Sequence, residues 1–407
     1  MRRAIIFLLS LSLILFFGQS VYATSYHIYP GDDLAYTITQ NTCSWDIVYI
    51  HEGIHTLKDD VNISGKSLPI VGDGSDKTII ILDDHKFNIY KTQNNANPMI
   101  VTISGITFKN AKTSETIIFE NYLPNTSMNL VLSDCKFENI GDVALISATY
   151  VVRNYKMTIN RCDIYYGESS APEVGEVSIR DGGSKYDSIN LEINNSSFSN
   201  SSSLTAYSFS PESLIDLKVQ NSVFFNNNTG IQIFGPVELY SKNNLFASNL
   251  KGVLIDSVNS KGVLINNTVD SNGYDSGFGI YNKGAIELQN NIISNNNYGI
   301  YNDGQIVQRK NILWKNKINY GIGDNDFIIS DPLFTIGPGG NYYLGGESKA
   351  IDTGSDTSSF FKLNRKTTQV NEVFDKGIVD IGYHYESNFI PPIFSRLIDI
   401  FCKNCDI

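Results

Sequence analysis

A short pattern of apolar and polar positions recurs along the second half of the chain. In most copies an apolar residue precedes a polar pair that usually contains Asn. Apolar residues and a further polar residue then follow. The copies read INNSSFSN, VQNSVFFN, SKNNLFAS, INNTVDSN, LQNNIISN and RKNILWKN, and looser copies precede them around residues 105, 134 and 161. The anchoring asparagines of the six copies are spaced 21 to 26 residues apart and are Asn195, Asn221, Asn243, Asn267, Asn290 and Asn311.

A second phrase, Gly followed by Ile or Val, lies 9 to 12 residues after each anchor from Asn221 onward. β-Branched and aromatic residues alternate with polar ones between Asn, Gly and Ser, a pattern typical of short strands and turns. A period of about 22 residues without helical periodicity predicts one coil of a right-handed parallel β-helix. We therefore expect an all-β solenoid with terminal caps. A β-propeller is the alternative, but its blades need about 40 residues or more.

The recurrent Asn has a structural interpretation. In a parallel β-helix each coil buries its Ile, Val, Leu and Phe and pairs its backbone with the coils on either side. Asn at the same turn of successive coils can stack, so that each side-chain amide bonds to the next. We predict that the six anchors form such a structural ladder and have no catalytic role.

The first residues resemble an export signal. A basic start at Met1–Arg3 precedes an apolar run from Ala4 to Phe17, and small residues lead to a cleavage site after Ala23. An uncleaved amino-terminal anchor is the alternative. We expect no transmembrane segment after signal removal, and a mature chain that is secreted, periplasmic or on the cell surface.

The predicted signal, the repeat and the motifs at the two ends, whose resemblance to known proteins is described below, divide the chain into five predicted segments. These are the signal peptide (1–23), an N-terminal cap with the first coils (24–82), the β-helix coils (83–325), a C-terminal module (326–386) and a short apolar tail (387–407). Apolar positions in the tail fit one face of a short helix, which would either cover the β-helix or dock to a partner.

Charge and cysteine content exclude several classes of protein. The chain carries 31 Lys+Arg against 42 Asp+Glu, a net charge of −11, which argues against a nucleic-acid partner and disfavours simple capture of polyanions. Five Cys are too few for a disulfide scaffold. Cys135 and Cys162 are expected on adjacent coils, either bridged or stacked as thiols, and Cys402 and Cys405 form a local disulfide or remain idle.

Both ends of the chain resemble known β-helix proteins. The strand DIVYIHEG at residues 46–53 and the sequence IVGDG at 70–74 resemble the opening of pectin-lyase-like proteins. DPLF at 331–334, SKAIDTG at 348–354 and DIGYHYE at 380–386 resemble the terminal module of exported bacterial β-helix surface proteins, with Lys in place of a usual Pro. The resemblance implies this fold and export, and it implies turn or cap roles, rather than catalytic ones, for Asp331, Asp352 and Asp380.

Many pectin-lyase-like enzymes act on polysaccharides, but their characteristic motifs are missing from this sequence. Whether the chain is an enzyme is therefore left open; if it is one, the resemblance implies a polysaccharide lyase or glycoside hydrolase. The long interval between Arg161 and Asn195 predicts a projecting loop with aromatic and charged residues suited to a sugar. The alternative is an ordinary solvated loop. The candidate glycan-binding residues are Tyr165, Tyr166, Glu176, Arg180, Asp181 and Lys185.

No metal or cofactor site is predicted. His51 and His55 lie beside the cap strand without a third ligand at evident spacing, so we interpret them as surface residues. Ca²⁺ would suit the fold, but no motif supports it. The sequence therefore predicts an exported monomer that binds or remodels a polysaccharide or cell-surface glycan. The alternative is a non-enzymatic adhesion or structural solenoid; a copper-associated maturation protein is disfavoured by only four Met and five His.

Overall fold

The chain winds through three parallel sheets in a fixed order, contributing one strand to each sheet per coil. The computed structural model describes residues 23–92, 97–112, 115–121, 126–140, 142–147, 155–166, 176–181, 188–200, 204–273, 277–322 and 327–387. We number the sheets in the order in which the chain meets them; they hold 12, 12 and 11 strands. This topology confirms the predicted all-β, parallel β-helix class.

The strands of the three sheets follow one another at the same positions of each coil. Sheet 1 contains Ser25–Ile28, Ile47–Ile50, Leu68–Gly72, Met99–Ser104, Met128–Ser133, Tyr155–Asn160, Ser188–Asn194, Leu214–Gln220, Val237–Lys242, Lys261–Ile265, Ala285–Gln289 and Gln305–Arg309. Sheet 2 contains Gly53–Thr56, Thr78–Asp83, Thr107–Ala111, Lys136–Glu138, Asp163–Tyr165, Ser197–Ser199, Val223–Phe225, Leu245–Ala247, Thr268–Asp270, Ile292–Ser294, Ile312–Trp314 and Ile328–Ile329. Sheet 3 contains Val61–Ser64, Phe87–Lys91, Glu115–Asn121, Asp142–Ser147, Val177–Arg180, Leu204–Tyr207, Thr229–Phe234, Lys251–Ile255, Phe278–Asn282, Tyr298–Asn302 and Ile318–Tyr320.

A short helix covers the first coil. It comprises the α-helical residues Leu34–Tyr36 and the π-helical turn Thr37–Asn41, and the side chain of Asp33 accepts a hydrogen bond from the backbone N–H of Tyr36. Leu34 and Ile38 are buried in the core of the β-helix. The cap therefore covers the apolar interior that the first coil would otherwise expose.

The interior is filled by the inward residues of each strand, because successive side chains of a strand point to opposite faces. In sheet 2 this position holds a column of buried aromatic residues. Phe198, Phe224 and Phe246 stack with ring centroids 4.8 and 5.0 Å apart. His55 takes the equivalent inward position on the first strand of sheet 2, beside Ile80, and is 2% exposed. The expectation of a surface residue was therefore wrong for His55.

The turn from sheet 1 to sheet 2 gives consecutive residues two different environments. The first residue has a left-handed backbone with φ near +50°, and the second points inward and is buried. Of the six predicted ladder residues, Asn195, Asn221, Asn243 and Asn290 take the left-handed position. Asn267 and Asn311 take the inward position, which they share with Asn244 and Asn291.

The inward asparagines form a continuous hydrogen-bonded ladder. The side-chain oxygen of Asn291 accepts from the backbone N–H of Asn267 at 2.9 Å, and its amide donates to the carbonyl of Leu264 at 2.8 Å. A second ladder, at the turn from sheet 2 to sheet 3, consists of Asn227, Asn249, Asn272, Asn296 and Asn316. The ladders satisfy backbone groups that the turns would leave buried without partners.

The repeated Gly has a steric cause. A Cβ atom on Gly252 would lie 2.4 Å from the carbonyl oxygen of Gly279, and one on Gly279 would lie 2.7 Å from that of Gly299. Adjacent coils thus approach too closely here for any side chain. This explains why the phrase Gly-Ile keeps step with the Asn anchors.

The C-terminal module runs back along the outer surface of sheet 2 and also packs against sheet 1 residues Tyr240, Val263 and Ile265. Its described part includes two short hairpins, Phe334–Gly337 with Gly340–Leu344 and Lys366–Thr367 with Tyr385–Glu386. Three apolar clusters join the module to the coils. In the first, Tyr343, Tyr383 and Tyr385 pack with Val223 and Leu245. In the second, Leu344, Ala350 and Ile381 pack with Ile292 and Ile312, and in the third, Phe361, Leu363 and Val379 pack with Ile265. The module therefore covers a lateral face of the β-helix.

The structure bears on the cysteine and membrane predictions only where they fall on described residues. Cys135 and Cys162 are buried neighbours with unbonded thiols, and burial raises the pKa of Cys162 well above its usual value. Cys402, Cys405, the segment 1–22 and all but the first residue of the tail lie outside the described residues. Within the described ranges, no helix has the length and apolarity needed to cross a membrane.

Candidate functional site

The three outer surfaces of the β-helix differ in chemistry. Sheet 1 is charged and carries ion pairs between strands or along them; these are Lys156 with Glu192, Lys218 with Asp216 and Lys261 with Glu238. Sheet 2 is covered by the C-terminal module from Val223 to Ile312. Sheet 3 carries two groups of outward aromatic residues, which we call the upstream and downstream clusters.

The downstream cluster is a column of tyrosines parallel to the axis of the β-helix. Tyr281, Tyr301 and Tyr320 occupy equivalent outward positions on three consecutive strands of sheet 3. Their rings stack with centroids 5.4 and 4.8 Å apart. The alternation within GIYN explains the arrangement, because the Ile of each strand points inward and the Tyr outward. Phe278 and Tyr298 flank the column, edge-on to Tyr301.

The stacking determines which part of each ring a ligand can reach. Tyr301 lies between Tyr281 and Tyr320, so both of its faces are occupied, and Phe278 and Tyr298 contact its edge, which leaves the phenol hydroxyl as the group that a ligand can reach. Tyr320 is 51% exposed. The charge of Asp303 raises the pKa of Tyr301, so this hydroxyl stays protonated and can donate a hydrogen bond. The column thus offers hydroxyls at intervals of one coil.

The upstream cluster combines aromatic rings with an ion pair. Arg180, Tyr207 and Phe234 occupy equivalent outward positions on consecutive strands. The Tyr207 ring stacks on Phe234 at 4.6 Å, and the Arg180 guanidinium lies 5.7 Å from the Tyr207 centroid. A Glu176 carboxylate oxygen lies 3.3 Å from Nη2 of Arg180. Burial, followed by the charge of Glu176, raises the pKa of Tyr207.

Two buried polar atoms at the upstream cluster have no hydrogen-bond partner among the described residues. They are Nε of Arg180 and Oγ of Ser178, two residues apart on the outer side of one strand. Ser178 is 0% exposed. Buried polar groups are usually paired, so these two atoms are exceptions, and their burial leaves them accessible only to an internal water or after a local movement.

The predicted site residues divide between several locations. Glu176 and Arg180 meet in the upstream cluster. Asp181 is buried, and its carboxylate accepts hydrogen bonds from Oγ of Ser208 at 2.6 Å and the backbone N–H of Phe209 at 2.7 Å, which gives it a local structural role.

The tyrosines of the predicted loop belong to a different surface. Tyr165 is at the outer side of a sheet 2 strand, and Tyr166 follows it directly, so neither joins the sheet 3 clusters. Lys185 lies outside the described residues. Sequence reasoning missed the aromatic residues of sheet 3, although the two GIYN copies were a signal for Tyr281 and Tyr301.

Two acidic groups lie elsewhere. Asp33, Asp59, Asp60 and Asp84 line a groove of about 600 Å³ near the cap. In the C-terminal module, carboxylate oxygens of Asp352, Asp375 and Asp380 lie within 4.8 Å of one another.

The acidic group of the C-terminal module, Asp352, Asp375 and Asp380, takes part in hydrogen bonds within the module. Oδ1 of Asp380 accepts from the backbone N–H of Asp352 at 2.8 Å, and Nε2 of His384 lies 2.8 Å from Oδ2 of Asp375. Asp331 accepts from the N–H of Leu333 in a turn. Burial raises the pKa of Asp380.

Comparison with known proteins gives distant structural similarities. No family model and no curated protein sequence matches the chain. The PL6 family alginate lyase AlyGC shares 13% identity over 88% of this chain and 58% of its own, with a TM-score of 0.35. The pectate lyase Pel9A shares 12% identity over 90% of this chain and 98% of its own, with a TM-score of 0.38. The chain thus spans less than two thirds of the alginate lyase, and neither similarity assigns an activity to it.

Proposed function

We propose that this chain is an exported β-helix protein that binds polysaccharide along the outer face of sheet 3. The observation that carries the proposal is the tyrosine column, whose hydroxyls repeat along the axis of the β-helix. A polysaccharide is also a linear repeat of hydroxyl-bearing units, so an extended chain lying along the axis would meet the same group at each coil.

The chemistry of the two clusters suits different parts of such a ligand. Tyrosine combines an apolar ring with a polar hydroxyl, which matches the mixed apolar and hydroxylated surface of a sugar. The downstream cluster would contact neutral sugar units through Tyr301 and Tyr320. Arg180 in the upstream cluster would bind a carboxylate of a uronate unit, because a guanidinium pairs with carboxylates through two parallel hydrogen bonds.

Binding is tested with a panel of neutral and acidic polysaccharides by calorimetry or affinity electrophoresis. Tyr301→Ala should weaken binding of a polymer that the parent protein retains. Tyr36→Ala is the matched control, since Tyr36 is 59% exposed and lies at the N-terminal cap. Equal binding by the parent and Tyr301→Ala would reject this face as the binding site. No binding across the panel would favour the structural or adhesion alternative.

A lyase activity is the second candidate, and the grouping of Arg180 with Glu176 and Tyr207 favours it. In a β-elimination, a base removes the proton beside the uronate carboxylate, a carbon–carbon double bond forms, and the glycosidic carbon–oxygen bond breaks. Arg180 would stabilise the carboxylate, Glu176 would accept the proton and the neutral Tyr207 phenol would protonate the leaving oxygen. Ultraviolet absorbance of unsaturated products, lost in Arg180→Gln, would support this activity; absence of the product with every uronate polymer would exclude it.

A further inference from the structure

Two histidines on the first coils form a pair that the proposed glycan face does not use. His27 lies on the first strand of sheet 1, and His51 directly follows the second strand. Parallel pairing fixes their relative position, since the backbone N–H of His51 donates to the carbonyl of Ile28 at 2.9 Å. Nδ1 of His27 lies 2.9 Å from Nε2 of His51, and the ring planes differ by 11°. The two nitrogens therefore face each other within nearly parallel rings.

Asp73 orients one of the two rings. Its Oδ2 lies 3.2 Å from Nδ1 of His51 and accepts from the backbone N–H of Glu52 at 2.9 Å. A carboxylate oxygen beside Nδ1 favours the His51 proton on that nitrogen, so the lone pair of Nε2 points toward His27. A carboxylate bound to the second nitrogen is the usual support of a metal-binding imidazole.

Aromatic rings hold the pair from both sides. The Tyr29 ring stacks on His51 with centroids 4.4 Å apart, and the Tyr49 ring stacks on His27 at 5.1 Å. These contacts restrict rotation of both imidazoles, so little side-chain entropy remains to be lost when a ligand binds. The side chain of His51 is 25% exposed, which leaves the pair accessible from solvent.

We propose that His27 and His51 bind a divalent transition-metal ion, Zn²⁺ or Cu²⁺, through Nδ1 and Nε2 respectively. Neutral imidazole is a preferred ligand of both ions. On binding, the proton of His27 leaves Nδ1 and Nε2 takes up one from solvent, so the ring stays neutral. With Zn–N bonds of about 2.0–2.1 Å, the two nitrogens lie about 3.3 Å apart at a tetrahedral angle and about 4.1 Å apart when the ion lies directly between them. The facing rings must therefore move apart by roughly 0.5–1.2 Å from their 2.9 Å contact. Water completes the coordination, and Asp73 stays outside it as a positioning residue.

The test is calorimetric titration of the signal-free chain with Zn²⁺ and, separately, Cu²⁺. We expect one site per chain, lost in His27→Gln and in His51→Gln. Asp73→Asn should weaken binding about 10–100-fold without removing it. The matched control is His85→Gln, because His85 also lies beside a carboxylate, 3.6 Å from Asp60 in the acidic groove.

A second measurement identifies the ligand atoms. Electron paramagnetic resonance of the Cu²⁺-loaded chain should show coupling to two nitrogens in the parent and one or none in His27→Gln. Melting temperatures of the metal-free variants establish that each is folded. Unchanged binding in the His27 or His51 variant, loss in His85→Gln, or no binding by the parent would each overturn the proposal. The glycan-binding test uses residues of other coils, so its outcome is independent.

Discussion

Neighbouring asparagines at the turn between sheets 1 and 2 contribute to stability in different ways. Asn221 adopts a left-handed backbone, φ +53°, and its side chain accepts a hydrogen bond from Asn243. Asn267 is buried and bonds to groups on both adjacent coils. Alanine at the first position incurs backbone strain of about 1–2 kcal/mol, whereas alanine at the second removes partners from buried groups.

We expect Asn267→Ala to destabilise the protein more than Asn221→Ala. Asn267→Ala removes the side chain that bonds to the backbone N–H of Asn244 and the carbonyl of Ser241. Each buried group left without this partner costs about 1–3 kcal/mol of unfolding free energy. Urea unfolding, compared by midpoint and slope, measures the difference. Equal midpoints for the two variants would contradict the separate roles of the two positions.

Asp380 gives the stability of the C-terminal module a pH dependence. Burial raises its pKa above the ordinary value of 3.8, and the charge of Asp375 adds to the shift, while hydrogen bonds from Thr368 and Asp352 and the nearby His384 oppose it. A carboxyl with a raised folded-state pKa stabilises the fold fully below pH 3.8, and this contribution is lost as pH rises through the folded-state pKa.

Asp380→Asn should therefore gain in melting temperature relative to the parent as pH rises from below 3.8 to neutrality. The amide oxygen of Asn can still accept from the Asp352 N–H, and its NH2 group can donate to Oγ1 of Thr368, which reverses the hydrogen bond that Thr368 donates in the parent. Asp352→Asn is the control, because Asp352 is exposed. A melting-temperature difference between Asp380→Asn and the parent that does not change with pH would contradict the assignment.

At the scale of elements, the C-terminal module stabilises the coils that it covers. It buries apolar side chains on the outer face of sheet 2, including Val223, Leu245, Ile292 and Ile312. Such residues on an uncovered sheet would form a contiguous apolar patch. The module is thus part of the packing of the β-helix.

Truncation after Ser330 should lower the melting temperature and promote association, because it exposes this patch to solvent. Truncation after Glu386 is the matched control, since it keeps the module and removes only the predicted tail. Light scattering and thermal unfolding measure both effects. A shorter chain that stays monomeric with an unchanged melt would show that the module contributes nothing to the coils.

Several features of the fold could be predicted from the sequence, because a solenoid repeats its local pattern in every coil. The spacing of the asparagine anchors indicated the coil length. That spacing could not show which of Asn290 and Asn291 points inward, since a shift of one residue exchanges outward and inward positions. Arg180 was identified from a charged loop, but Tyr207 lies on the next coil and becomes its neighbour only through sheet pairing. The contact of Tyr385 with Leu245 joins segments far apart in sequence, and no periodicity indicates it.

At the scale of the whole molecule, the two aromatic clusters lie on one face of one sheet. Four strand intervals separate Phe234 from Tyr320, which corresponds to roughly 19 Å along the axis at about 4.8 Å per strand. A glycan that reaches from Phe234 to Tyr320, at the far end of the downstream cluster, must be at least that long.

Affinity should therefore rise with oligosaccharide length and level off once the ligand spans both clusters. Calorimetry with a size series of the polymer that binds best measures this dependence. Phe234→Ala should reduce the affinity of long oligosaccharides and leave that of short ones unchanged at the downstream cluster. An affinity that is the same at all lengths would contradict a ligand lying along the axis.

The lateral position of the C-terminal module also limits how this protein can change its length in evolution. Duplication or loss of one coil upstream of Val223 would alter only the contacts between neighbouring coils, since a solenoid interacts with itself locally. Within this region, backbone N–H groups of Gly382, Tyr383 and His384 bond to Asn290, Thr268 and Asn243 on three successive coils. An added coil there would separate Tyr383 from Thr268 or Leu344 from Ile312, so the number of covered coils is set by the length of the module. We therefore expect related chains to vary in the number of uncovered coils and to keep the number of covered ones.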